Sequence, residues 1–112
     1  MDELNALNQL LGDVIAEGGF GMTLRTGETT VVHTASGPKR LKAVLPTHEE
    51  ITAFLRRLAG SRGVRELRTN GVTRFMVPFQ TGIRLVGAAR LEKDDIHVEL
   101  RRMAGKPPKA GR

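Results

Sequence analysis

Three histidines, two serines, a glycine-rich stretch and a run of arginines are the side chains here that could do chemistry. His33, His48 and His97 could act as general bases or metal ligands, but they stand far apart. A helical metal site needs a second ligand three or four residues on, and His48 is followed there by Ile51 and Thr52. Ser36 and Ser61 sit beside glycines in turn-like sequence, outside the Gly-x-Ser-x-Gly setting of a nucleophile elbow. Gly18-Gly19-Phe20-Gly21 follows a helical pattern and precedes a strand pattern. A phosphate cradle needs the reverse order, because the anion rests on a helix N-terminus. Asp94-Asp95 reads as an acidic turn, and without cysteine neither thiolate catalysis nor cysteine-ligated zinc is available. The residues point away from an enzyme, and no cofactor or metal is expected.

The arginines are the remaining candidates. The formal net charge of +6 is uneven: residues 101–112 hold five cations and no acid, and the rest of the chain sums to +1. Within that body residues 1–38 sum to −4, residues 39–74 to +6 and residues 75–100 to −1. Arg56, Arg57, Arg62, Arg65 and Arg68 therefore form a local basic patch that could meet an acidic protein or nucleic acid. With no Trp or Tyr, and four Phe that read mostly as core, base stacking has little support. No apolar run approaches the ~20 residues of a membrane span, and the acidic N-terminus is unlike a secretory signal. A cytoplasmic location is expected.

Around these residues the elements are legible. Leu4, Leu7, Leu10, Leu11, Val14 and Ile15 recur at helical spacing and predict a helix from about Asp2 to Glu17. Strands are expected over 20–25, 29–34 and 39–45, separated by turns at Thr26-Gly27-Glu28 and Ser36-Gly37-Pro38. Thr47 and Glu50 have capping-box spacing, with Ile51, Phe54, Leu55 and Leu58 as the apolar stripe behind them and Gly60 as a left-handed stop. Residues 61–71 predict a short helix or helical turn. Strands follow over 73–79, 83–91 and 96–103, with Pro78 suggesting an edge position or a strand end. The order α-β-β-β-α-(α)-β-β-β predicts an α+β domain over residues 1–103, a two-layer antiparallel six-stranded sheet with helices packed on one face. Such a sheet resembles PAS- or profilin-like architecture. Residues 104–112, rich in Gly, Lys and Pro, predict a disordered basic tail.

In this order the chain resembles the N-terminal, PAS-like domain of the hexameric ATPases of type IV pili and type II secretion. The segments that carry the likeness are Glu17-Gly18-Gly19-Phe20-Gly21-Met22-Thr23-Leu24, Val31-Val32-His33 and Leu45-Pro46-Thr47-His48-Glu49-Glu50-Ile51. Thr73-Arg74-Phe75-Met76-Val77, Gly82-Ile83-Arg84-Leu85-Val86 and Ile96–Arg102 complete it. The family's Ser-Asp-x-His signature is replaced by Phe20-Gly21-Met22-Thr23, and the phosphate loop of the ATPase core is absent. The resemblance implies a bacterial non-catalytic module that docks on, assembles or regulates a pilus- or secretion-type motor, with a protein partner or self-association. Arg84 is the residue that falls where family arginines help complete a neighbouring subunit's nucleotide site. A small nucleic-acid-binding protein using the 56–68 arginines and the tail, and a secretion chaperone, are the alternatives.

Overall fold

A computed structural model describes residues 3–42, 44–80 and 83–103. The stripe beginning at Leu4 forms α1 (Glu3–Ala16), which buries Leu7, Leu11, Val14 and Ile15. Next come β1 (Gly21–Arg25), β2 (Thr30–Thr34) and β3 (Gly37–Leu41), then α2 (His48–Asn70). The chain closes with β4 (Val72–Gln80), β5 (Ile83–Glu92) and β6 (Asp95–Arg102). The side chains of Leu4 and Phe79 and the expected tail at 104–112 lie outside the described residues.

The six strands form one antiparallel sheet in the order β3-β2-β1-β6-β5-β4. Each three-strand meander is local in sequence, and the two join where β1 meets β6, Met22 opposite Leu100 and Leu24 opposite Val98. The expected two-layer α+β architecture is the one observed. Pro78 sits on an edge strand, where its missing N–H interrupts least, and the β4–β5 register shifts beside it.

The capping box forms as its spacing requires. The Glu50 N–H donates to Thr47 Oγ1 (3.1 Å) and the Thr47 N–H donates to Glu50 Oε1 (2.7 Å). Thr47→Ala should lower stability by about 0.5–2 kcal/mol, read from the midpoint of chemical denaturation, because the Glu50 N–H loses its acceptor at the helix end.

Gly60 takes a left-handed φ of 77° with ψ 175°, which breaks the first helical segment as expected. The chain resumes helix at once, so the second helix expected over 61–71 is the far half of a kinked α2, ended by Gly71 at φ 82°. Ile51, Phe54 and Leu55 before the kink and Val64 and Leu67 after it are all buried. The kink keeps both halves on the sheet.

β3 departs from expectation. Its strand starts at Gly37 rather than Lys39, because Thr34 pairs directly with Gly37 across a two-residue turn. It ends at Leu41, after which the Val44 N–H donates to the Leu41 carbonyl (3.0 Å). Leu45, the expected end of that strand, lies beyond it and is 52% exposed.

Met22, Leu24 and Val32 of the first meander and Leu85, Ala89, Ile96, Val98 and Leu100 of the second form the core with α1 and α2. Phe54 of α2 is fully buried among them.

Candidate functional site

Side chains alternate across a sheet, so the residues between these core positions point away from the helices. The registers arrange them in cross-strand rows. One runs His33, Gly21, Arg101, Val86, Met76, and the next Val31, Thr23, Glu99, Ala88, Arg74. A third runs Arg25, His97, Arg90, Val72. Arg84, opposite Pro78, continues the face beyond the first row.

A cavity of about 860 Å³ opens on these rows, lined in part by Phe20, Thr23, His33, Arg74, Met76, Val86 and Arg101. Phe20 (43% exposed), Met76 (56%) and Val86 (38%) give it an apolar surface in contact with water. Six arginines (Arg25, Arg40, Arg74, Arg84, Arg90, Arg101) share the face with three acids (Glu92, Asp95, Glu99).

The glutamates are engaged inside the molecule. Glu92 lies 3.3 Å from Arg90 and 3.8 Å from Arg25, and Glu99 lies 3.3 Å from His97 Nε2. Among the described residues no carboxylate stands within 4.0 Å of Arg74, Arg84 or Arg101. The resulting field is positive around an apolar centre.

The histidines are half-buried. His33 Nε2 shares a 2.8 Å hydrogen bond with Thr23 Oγ1, and His48 Nδ1 donates to the Asp94 carbonyl (3.0 Å). Arg25 Nη2 donates to His97 Nδ1 (3.5 Å). Among the described residues no group of three or more His, Asp or Glu could hold a metal ion. Nor is any described helix long and apolar enough to cross a membrane.

The sequence candidates divide between two surfaces. Arg84 is exposed on the open face, whereas Arg56, Arg57, Arg62, Arg65 and Arg68 are exposed on α2, in the helical layer. Arg62, Arg65 and Arg68 step back by roughly 60° at each interval of three residues, so they span about a third of the helix circumference. Arg101 belongs to β6, as the strand expected over 96–103 requires, and to the open face. Sequence reasoning missed Phe20, Met76 and Val86. A signal for two of them was present: Phe75-Met76-Val77 and Leu85–Ala89 are unbroken apolar runs, the pattern of strands covered on both faces.

Comparison with solved structures finds this fold elsewhere. The pilus retraction motor PilT with bound ADP superposes with a TM-score of 0.75 at 16% identity, over 91% of this chain and 30% of that one. The ATPase DotB of Legionella pneumophila superposes with a TM-score of 0.72 at 17% identity, over 95% of this chain and 30% of that one. This is the fold of a motor-ATPase N-terminal domain. The match is to the non-catalytic portion of those proteins, less than a third of their length. No protein-family model and no curated protein sequence matches the chain. At these identities the likeness is one of fold, and it agrees with the resemblance drawn from the order of elements.

Proposed function

We propose that the chain is a non-catalytic docking, assembly or regulatory component of a pilus- or secretion-type motor, and that it engages a protein partner through the open face of its sheet. The observation that carries this reading is the uncovered apolar centre formed by Phe20, Met76 and Val86 on a fold otherwise packed on one side. Water-exposed apolar surface with a polar rim is typical of protein interfaces. The likeness to PilT and DotB supports a motor as the partner.

The nucleic-acid reading uses the arginines of α2, so mutations on the two surfaces separate the readings. The full chain, used as bait in a nuclease-treated bacterial extract, should recover a motor ATPase of the pilus or secretion class. Met76→Ser/Val86→Ser should lose that partner, while Arg62→Ala/Arg65→Ala/Arg68→Ala should keep it. DNA or RNA binding would overturn the reading if it weakens steeply with salt, about −0.9 in log–log slope per duplex phosphate, and disappears in the α2 variant.

The chain alone should neither hydrolyse ATP nor bind it tightly, since it has no glycine cradle leading into a helix N-terminus. Saturable micromolar ATP binding, lost on changing Arg84, would restore a nucleotide role.

A further inference from the structure

Charge and apolar spacing together constrain what covers the open face. Phe20 adjoins β1 through its chain neighbour Gly21, and Val86 and Met76 lie on β5 and β4. β1 and β5 are separated by β6 alone and β4 lies one strand further, so at the usual strand spacing Phe20 and Val86 stand roughly 10 Å apart and Met76 roughly 14 Å from Phe20. An α-helix rises about 4.5 Å over three residues and about 15 Å over ten, so residues i, i+3 and i+10 on one of its faces match Met76, Val86 and Phe20 in turn. Between and beside the apolar points stand Arg101 and Arg74, with Arg84 one step further along the face. None of the three has a carboxylate within ion-pair distance among the described residues.

We infer that the open face binds an acidic amphipathic helix of a protein partner, its apolar residues seated on Phe20, Val86 and Met76 and its carboxylates on Arg74, Arg84 and Arg101. Nucleic acid fits the charge but not the centre: Met76 and Val86 offer no aromatic plane for a base, Phe75 packs against the core and His33 is tied to Thr23, so Phe20 is left without a stacking platform. A second copy presenting this same face would set arginine against arginine, so self-pairing through it is disfavoured. An incoming helix would also cover the second face of the two apolar runs, Phe75-Met76-Val77 and Leu85–Ala89. The inference rests on the docking reading above, because it names the chemistry of the partner at that same face.

The test is a titration of the full chain, followed by backbone amide NMR. The probe is a synthetic helical peptide with Leu at i, i+3, i+7 and i+10 and Glu on the flanking positions. Its counterpart has every Glu replaced by Lys, and a single-stranded DNA oligonucleotide is the third ligand. The acidic peptide should bind saturably and shift amides of β1, β4, β5 and β6. Met76→Ser/Val86→Ser should weaken it at least tenfold. Arg74→Glu/Arg101→Glu should abolish acidic binding and gain the Lys peptide, a reversal that a misfolded variant cannot produce.

The inference is overturned if the acidic and basic peptides bind the parent chain equally, if the shifts fall on α2, or if only the oligonucleotide binds. If a motor ATPase co-purifies through this face while the acidic peptide is ignored, the helix inference falls and the docking function stands. If the peptide binds while no motor is recovered, the reverse holds.

Discussion

Replacing Phe54 by Ala should cost about 3–5 kcal/mol of folding stability. Phe54 has no exposed surface, and it sits in the one apolar cluster that joins α1, α2 and the sheet. Truncating it removes the ring's transfer energy and leaves a cavity that surrounding Leu and Val side chains fill only in part. A domain of this size is stable by roughly 5–15 kcal/mol, so the loss is a large share of the total. Urea or guanidinium denaturation should show a lower midpoint with an unchanged slope. Phe20→Ala is the control: Phe20 is 43% exposed, so its stability change should stay within about 0.5 kcal/mol. An equal loss for both rings would mean that Phe54 does not anchor the helices to the sheet.

Gly87→Ala should also destabilise, by about 1–3 kcal/mol through overpacking. Gly87 lies in β5, paired with Phe75 on one side and Leu100 on the other. A Cβ there would run into the Phe75 ring, 2.5 Å from Cε2 as well as against Cζ, and would stand 2.8 Å from Leu100 Cδ2. The aromatic ring occupies the space that a side chain would need. Phe75→Leu removes the offending ring atoms, so the Gly87→Ala/Phe75→Leu double variant should be more stable than the sum of the single losses implies. Strict additivity would show that Phe75 swings aside without cost and that the glycine is not required by this contact.

How much of this was readable beforehand follows from how local each feature is. The capping box, the Ile51/Phe54/Leu55 stripe and the edge proline depend on neighbours within one turn or one strand, and all appear as their spacing requires. The β3 boundary was misplaced because a two-residue hairpin sets the register there, and Thr34–Gly37 pairing overrides the alternation that begins at Lys39. Phe20, expected as the first residue of the strand over 20–25, lies instead between the end of α1 and the start of β1 and opens onto the cavity. The open face is a product of register across four strands, so Arg74, Arg101, Val86 and Met76 become neighbours only after β4, β5 and β6 have paired. Arg84, singled out from a resemblance, lies on that face, while the basic patch chosen by charge density lies on α2.

The junction of β1 with β6 has a consequence for how the protein is made. Met22 leaves the ribosome long before Leu100, its partner in the finished sheet. At about 5–20 residues per second the first meander waits several seconds with the β1 edge unsatisfied and Met22 and Leu24 lacking their β6 partners. The last strand to emerge is thus the one that occupies the middle of the sheet, and closure depends on the longest-range contacts in the chain. A nascent chain stalled within β6 would present two half-sheets with open inner edges, the kind of surface that pairs with another copy before it finds its own. The β1 edge is thus protected only by a strand that lies some seventy residues further along the chain.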